Sequence, residues 1–127
     1  MTMERLLVID DEPDIGSFIK TVAESCGYEV TITSDSESFK KEYSSLRPDV
    51  VALDLAIPNT DGIELLRFLA EEGCDARVLI ISGFDQRVLE SAWRLGSARG
   101  LRMAGMITKP ARVADLRSLL NNLRKVA

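Results

Sequence analysis

The stretch LLVIDDEPDIG, residues Leu6 to Gly16, decides the fold. Its four consecutive apolar residues are typical of a strand that is buried on both faces, as in a parallel sheet covered by helices. The adjacent carboxylates of Asp10 and Asp11 end this apolar run, and Pro13 then suits the first turn of a helix. The stretch therefore predicts a buried strand, an acidic strand end and a helix, in that order.

The remainder of the chain repeats this alternation of strand and helix. Five strands and five helices are predicted, and several of the strands are apolar at every residue. Right-handed crossovers then favour a three-layer, doubly wound α/β fold of the flavodoxin-like type, with a parallel sheet in the order 2-1-3-4-5. The predicted strands are Leu6–Ile9, Tyr28–Thr33, Val50–Leu53, Arg77–Ile81 and Met103–Thr108. The predicted helices run from Pro13 to Gly27, Ser36 to Ser45 (polar and exposed), Ile63 to Gly73, Gln86 to Arg99 and Val113 to Lys125.

The composition is that of an ordinary folded domain. The chain has 127 residues, 46% of them hydrophobic, and a net charge of −4, which suits one domain over residues 1–127. Acidic and basic residues are interleaved without a basic patch, so we expect no direct nucleic-acid binding. No apolar run approaches the roughly 20 residues of a membrane span, and no secretory signal is visible, so we expect a cytoplasmic protein.

Two features of the composition limit the chemistry. The sequence contains no histidine, which excludes histidine nucleophiles, Ser-His-Asp triads and imidazole metal ligands. Cys26 and Cys74 lie far apart and outside any CxxC pattern, so we expect reduced structural thiols. The chemistry must therefore use carboxylates, hydroxyls, lysine or a hard metal ion.

Polar residues follow several of the predicted strands. Asp10 and Asp11 follow the first strand, and Asp54 follows the third; Ser82 ends the fourth and Lys109 the fifth. Ligands of open parallel sheets bind at the carboxyl ends of the strands, so these side chains are expected to share one cavity. Three carboxylates there favour a hard cation such as Mg²⁺, and the lysine and hydroxyl favour an anion. Phosphoryl transfer to an aspartate nucleophile fits this combination.

Together these motifs resemble a two-component response-regulator receiver domain. The match consists of Asp10-Asp11, the DLAIPNTDG segment from Asp54 to Gly62, Ser82-Gly83 and Lys109-Pro110, in the expected order at strand ends. The resemblance implies a phosphorylation-dependent signalling switch and not a turnover enzyme, since a receiver catalyses only its own phosphorylation and dephosphorylation. The implied partner is a histidine kinase or a phosphotransfer protein that carries phosphohistidine.

The resemblance also implies roles for single residues. Asp54 is the phosphoacceptor, and Lys109 pairs with the phosphoryl group. Asp11 ligates Mg²⁺ directly and Asp10 acts through a metal-bound water. Asp54 and the backbone carbonyl of Ala56 complete the protein ligands of the ion.

The step that couples phosphorylation to output departs from the family pattern. Ser82 is implied to move onto the phosphoryl group and to transmit the change to the face of the fourth helix, fifth strand and fifth helix, through which a homodimer can also form. The position three residues before the lysine is usually aromatic in receivers, but here it is Met106. The segment between Ser82 and Lys109 is also several residues longer than usual, and the surplus lies in Arg94–Gly105.

That longer segment carries a second, narrower resemblance. RVLESAWRLGSARGLRMAGMITKP, Arg87 to Pro110, resembles receivers attached to EAL-type cyclic-di-GMP phosphodiesterases. If this holds, the chain is either a fragment of a longer regulator, with an EAL-type or other output domain beyond residue 127, or a stand-alone relative.

Simpler interpretations remain open for several residues. Asp10 and Asp11 could cap the first helix, where acidic residues are favourable. Asp61 is interpreted as a turn or N-cap residue and not as a metal ligand. Trp93 is either half-buried packing or an exposed anchor for a partner.

Three other functions compete with the switch. A degenerate receiver could act as a constitutive protein-interaction module. A haloacid-dehalogenase-like phosphatase would need a second acid two residues after its nucleophile, where this chain has Ala56. Flavin binding would place a phosphate against the acidic DDEPDIG loop, which repels it.

Overall fold

The computed structural model describes residues 3–57, 62–83 and 85–124. Strands and helices alternate along the whole of this part of the chain. The strands are β1 (Glu4–Ile9), β2 (Tyr28–Thr33), β3 (Val50–Leu53), β4 (Arg77–Ser82) and β5 (Arg102–Thr108). The helices are α1 (Pro13–Ser25), α2 (Ser36–Leu46), α3 (Gly62–Glu71), α4 (Gln86–Ala98) and α5 (Val113–Leu123).

The strands form one parallel sheet in the order β2-β1-β3-β4-β5. The prediction of a flavodoxin-like, doubly wound fold is therefore confirmed, with most element boundaries within two residues of those expected. In this order β1 lies between β2 and β3, so the direction in which successive strands are added to the sheet reverses after β2. The carboxyl ends of β1 and β3 flank this switch point, where ligands of such sheets bind.

The core lies on both faces of the sheet. Leu6, Leu7, Val8 and Ile9 are all at most 1% exposed, because successive side chains of a strand point to opposite faces and both faces are covered. Leu7 and Ile9 pack with residues of α2, α3 and α4. Leu6 and Val8 pack with residues of α1 and α5. An unbroken apolar run in the sequence thus corresponds to burial on two sides.

Helix α2 is less exposed than its polar sequence predicted. Phe39 is fully buried and belongs to the core on its side of the sheet. Tyr43 packs edge-on against Phe68 of α3, with ring centroids 5.6 Å apart, and the Lys40 ammonium lies 5.3 Å from the Phe68 centroid. The prediction of an exposed helix was wrong for this face, because Phe39 and Tyr43 lie four residues apart and therefore pack inward on the same side of the helix.

The longer segment before Lys109 contains one irregularity of the sheet, within β5. The register of the β4–β5 pair jumps from Val78↔Met103 to Leu79↔Gly105, so Ala104 is an extra residue in the manner of a β-bulge. A Cβ at Gly105 would lie 2.7 Å from a methyl carbon of Leu119. The glycine therefore allows α5 to pack closely on the bulged strand.

Two expectations from the composition also concern the fold. Cys26 and Cys74 are both buried, and neither forms a disulfide, as expected for structural thiols. Within the part of the chain that the structure describes, no helix has both the length and the apolar character needed to cross a bilayer.

Gly62 sets how closely α3 approaches the segment after β3. A Cβ on this residue would lie 2.8 Å from the Cα of Leu55, a backbone atom that cannot move aside without disturbing its neighbour Asp54. We expect Gly62→Ala to lower the free energy of unfolding by about 1–2 kcal/mol, as overpacking outweighs the gain in helix propensity. Urea unfolding measures the change. Gly83→Ala is the control, because a Cβ there has no described neighbour within 4 Å; equal effects of the two variants would refute the proposed clash.

Candidate functional site

The sheet itself positions the residues of the site. The backbone N–H of Asp10 donates to a β2 carbonyl at 3.0 Å, and that of Asp54 to a β1 carbonyl at 3.1 Å. The N–H of Lys109 donates to the carbonyl oxygen of Ser82 at 2.9 Å. Each residue thus continues the parallel hydrogen-bond pattern by one step beyond its strand. Because all the strands point the same way, the side chains emerge at one edge of the sheet.

The Lys109 ammonium joins three carboxylates at this edge. Its Nζ lies 2.9 Å from Asp10 Oδ2, 3.0 Å from Asp54 Oδ2 and 3.0 Å from Glu12 Oε1. The Asp10 and Asp54 side chains are 1% and 3% exposed, whereas that of Glu12 is 59% exposed. The structure therefore brings together Asp10, Asp54 and Lys109, as the sequence predicted, in a buried ion cluster whose outer member is Glu12.

Each aspartate of the cluster is also held by the backbone. Asp10 Oδ1 accepts a hydrogen bond from the N–H of Glu12 at 2.9 Å, and Asp54 Oδ1 accepts one from the N–H of Ala56 at 2.9 Å. In both cases the carboxylate bonds to the chain two residues on, as in an Asx turn. One oxygen of each carboxylate is thus fixed, and the other oxygen faces Lys109.

Burial and ion pairing act in opposite directions on this cluster. Burial raises the pKa of Asp10 above its ordinary value, although the Glu12 N–H and the Lys109 charge partly counteract it. For Lys109, burial alone would lower the pKa, but the contacts with Asp10, Asp54 and Glu12 outweigh it and raise that pKa. The lysine is therefore held in its charged form, whereas burial disfavours the charged form of Asp10.

The donor set suits a hard divalent cation. Carboxylate oxygens of Asp10, Asp11, Glu12 and Asp54 lie within 4.8 Å of one another, and such oxygens are the ligands that Mg²⁺ and Ca²⁺ prefer. Asp10 Oδ2 is buried and accepts no well-aligned hydrogen bond from the described residues, even though Lys109 Nζ is near. A buried acceptor of this kind is what a cation would satisfy. Asp11 is exposed at the rim of the group.

Helix capping does not account for these acids. The N-cap residue of α1 is Glu12, whose side chain makes no capping hydrogen bond, and Asp10 bonds to a single N–H before the helix begins. By contrast, Asp35 and Asp85 cap α2 and α4 with their carboxylates. No role was predicted for Glu12, because nothing in the local sequence indicates that its side chain binds a lysine 97 positions away.

The remaining predicted residues lie on β4, α4 and β5. Ser82 is fully buried at the end of β4, next to the strand that carries Lys109. Met106 lines a small cavity of about 120 Å³ with Glu90, Trp93 and Arg94 of α4. Trp93 is half-buried, which agrees with the first of its two interpretations; its role as an anchor for a partner stays a prediction.

Some predictions receive no geometric test. Asp61 lies outside the described residues, as does the rest of the loop over residues 58–61. Ala56 is exposed, and its carbonyl as a metal ligand stays a prediction. The Lys109–Pro110 peptide bond is cis, a feature that the sequence analysis did not anticipate.

A buried pair of aspartates, a lysine and a hydroxyl at the carboxyl edge of a 2-1-3-4-5 parallel sheet define a class of signalling domain. The family model of the response regulator receiver domain matches residues 6–121, so the chain belongs to the response-regulator receiver family. Receivers are modules of phosphorylation-dependent two-component signalling.

Individual relatives agree with this assignment. The chain is 31% identical over 87 residues to the chemotaxis protein CheY of Listeria monocytogenes, covering 67% of this chain and 72% of that protein. It is 29% identical over 116 residues to the transcriptional regulatory protein TrcR of Mycobacterium tuberculosis, covering 91% of this chain but only 45% of TrcR. A solved response regulator from Colwellia psychrerythraea is 31% identical, with a TM-score of 0.81 over 96% of this chain and 97% of that one. The chain thus spans less than half of a regulator such as TrcR.

The raised pKa of Asp10 leads to a testable stability difference. The stability that an acid with a raised pKa contributes is present below its ordinary pKa of 3.8 and is lost as the pH rises through the folded-state pKa. With divalent ions chelated, we expect Asp10→Asn to raise the free energy of unfolding at neutral pH, because burial disfavours the charged form of Asp10 and Lys109 keeps Asp54 and Glu12 as partners. The gain should shrink as the pH falls toward about 4.

Urea unfolding across this pH range measures the difference. Asp14→Asn is the matched control, because Asp14 is exposed in the first turn of α1 and outside the cluster. A destabilised Asp10→Asn protein at neutral pH would mean that the pairing of Asp10 with Lys109 outweighs the cost of its burial.

Proposed function

We propose that Asp54 accepts a phosphoryl group in a Mg²⁺-dependent reaction and that the chain is the receiver of a two-component phosphorelay. The observation that carries the proposal is the convergence of Asp10, Asp54 and Lys109 from the ends of β1, β3 and β5, with Asp54 held by both the Ala56 N–H and the lysine. A carboxylate fixed in this way is oriented for attack on phosphorus, and its negative charge is offset by a nearby cation.

The proposed metal ligands are Asp11 and Asp54, with the backbone carbonyl of Ala56 and, through a water, Asp10. The close grouping of the carboxylates and the unsatisfied oxygen of Asp10 support this set. When bound, Mg²⁺ supplies positive charge to the phosphoryl oxygens, without which an acidic pocket would repel the incoming group.

The chain's own residues would then carry out the transfer. A carboxylate oxygen of Asp54 attacks the phosphorus, a P–N bond of the donor phosphohistidine breaks, and the freed imidazole keeps the electron pair and takes up a proton from solvent. The ammonium of Lys109, now 3.0 Å from Asp54, pairs with a phosphoryl oxygen. The product is an acyl phosphate, and attack by water on its phosphorus returns the free carboxylate.

The partners follow from this chemistry. The donor is a histidine kinase or a phosphotransfer protein, since the chain has no histidine of its own to carry the phosphoryl group. The chain as a whole, residues 1–127, is proposed as one receiver domain in the cytoplasm. An output domain in a longer polypeptide would fit relatives such as TrcR, of which the chain covers 45%; the EAL type rests on the resemblance of Arg87–Pro110 alone.

Incubation with Mg²⁺ and acetyl phosphate tests the phosphoacceptor. We expect intact mass spectrometry to show one added phosphoryl group on the wild type and on Asp75→Asn, since Asp75 is exposed before β4 at the opposite edge of the sheet. Asp54→Asn should gain none, because its amide is not a nucleophile, and chelation of Mg²⁺ should abolish the gain. An unlabelled wild type would instead favour a degenerate receiver, and labelling of Asp54→Asn would place the acceptor elsewhere.

The proposed output surface is the face of α4, β5 and α5, where a partner or a second copy would bind. Ser82 is buried at the end of β4, and β4 pairs with β5 up to Thr108. A shift of Ser82 toward the phosphoryl group would therefore act directly on β5. Met106 then takes the place of the usual aromatic residue, in contact with the cavity that Trp93 lines.

Trp93 offers a direct readout of this coupling, because it is the only tryptophan in the sequence. We expect its fluorescence to change when the wild type is phosphorylated. Ser82→Ala should still be labelled but should lose most of the fluorescence change, since it lacks the hydroxyl that bonds the phosphoryl group. Ser45→Ala, at an exposed position of α2, should behave as the wild type. A full response of Ser82→Ala would show that the serine hydroxyl is not part of the coupling.

A further inference from the structure

The three carboxylate partners of Lys109 are not equivalent. Asp10 and Asp54 are buried and tied to the backbone two residues on. Glu12 sits at the rim with a 59% exposed side chain, and its carboxylate accepts from the Lys109 ammonium at 3.0 Å. The lysine therefore has two fixed partners inside the site and one movable partner at its mouth.

A divalent cation and the Lys109 ammonium compete for the same oxygens. Mg²⁺ approaches carboxylate oxygens to about 2.1 Å, whereas Lys109 Nζ already lies 2.9 Å from Asp10 Oδ2 and 3.0 Å from Asp54 Oδ2. Two positive charges that share these oxygens would repel each other strongly at such short range. The ammonium must therefore withdraw from at least one aspartate when the cation enters.

The fold limits where the ammonium can go. The backbone of Lys109 is anchored by its N–H to Ser82, so only the side chain can swing. Among the described residues, Glu12 is the partner already in contact that lies outside the buried pair. Its exposed side chain can follow the ammonium outward without leaving a buried charge unpaired.

We propose that Glu12 is a positioning residue that takes over Lys109 when a divalent cation binds Asp54 directly and Asp10 through a water, and that it keeps the ammonium at the mouth of the site where the phosphoryl group arrives. This inference rests on the proposed function and adds to it a residue outside the acceptor and metal-ligand set. It separates two tasks: the aspartates hold the cation, and Glu12 holds the lysine.

A double-mutant cycle on Mg²⁺ affinity tests the proposal without any phosphoryl chemistry. Isothermal titration calorimetry on the full chain would compare the wild type, Glu12→Gln, Lys109→Met and the double variant. We expect Glu12→Gln to weaken Mg²⁺ binding about tenfold, since the lysine then stays between the aspartates, and Lys109→Met to strengthen it by a similar factor. In the Lys109→Met background, Glu12→Gln should have at least about a threefold smaller effect than in the wild type.

The variant Glu12→Asp tests whether the length of the Glu12 side chain matters in addition to its negative charge. It keeps the negative charge but shortens the side chain by one methylene, so it should weaken Mg²⁺ binding nearly as much as Glu12→Gln does. Asp14→Asn removes a negative charge from the first turn of α1, at a residue outside the three carboxylates that pair with Lys109. It should therefore change the Mg²⁺ affinity little. Far-UV circular dichroism would confirm that each variant is folded.

Two results would overturn the inference. If Glu12→Gln changed the Mg²⁺ affinity equally in the wild-type and Lys109→Met backgrounds, Glu12 would act as a metal ligand or as a distant charge and not through the lysine. If Glu12→Asp bound Mg²⁺ as tightly as the wild type, the negative charge alone would explain the effect of Glu12. Either result leaves the phosphoacceptor proposal standing, because labelling of Asp54 is measured separately. A wild type with no measurable Mg²⁺ affinity would overturn both this inference and the proposed metal site.

Discussion

Four carboxylates meet at one edge of a parallel sheet, and the ammonium of Lys109 lies among them. Like charges about 4 Å apart repel by about 1 kcal/mol in water and by about 4 kcal/mol at the lower effective dielectric of a protein surface. The sheet leaves the two buried aspartates no freedom to move apart, since their backbones continue the hydrogen-bond pattern of β1 and β3. The edge therefore needs cations, and both its stability and its proposed chemistry depend on which cation is present.

The site combines rigid and movable parts. Asp10 and Asp54 are fixed by burial, by the sheet and by Asx-type hydrogen bonds. Lys109 and Glu12 carry their charges on longer side chains, and the side chain of Glu12 is exposed. A rigid pair of acceptors suits the binding of a cation with strict coordination geometry, and a movable ion pair suits a site that must admit an anion afterwards. This division explains why a single lysine can serve first as a counter-ion and then, as we propose, as a partner of the phosphoryl group.

The fold was largely predictable because its strands are buried on both faces, which leaves an unbroken apolar run in the sequence. The predicted ends of β2 and β3 agree with the structure to the residue. The errors have local causes. Phe39 and Tyr43 lie four residues apart on one side of α2, but polar residues fill most of the rest of the helix, so the prediction treated it as exposed. The bulge at Ala104 depends on how β5 pairs with β4, and the sequence showed only that this segment is longer than usual.

The sequence by itself determined which residues stand at the strand ends, because strand periodicity and apolar runs are local properties of the chain. From the order of those strands it also followed that Asp10, Asp54, Ser82 and Lys109 would come to one edge. Only the tertiary structure decided how they pair. Lys109 contacts Glu12, which is 97 positions away, and leaves Asp10 Oδ2 without an aligned hydrogen bond. Such pairing depends on distances of a few ångströms between side chains on different strands and loops, which no local pattern of residues encodes.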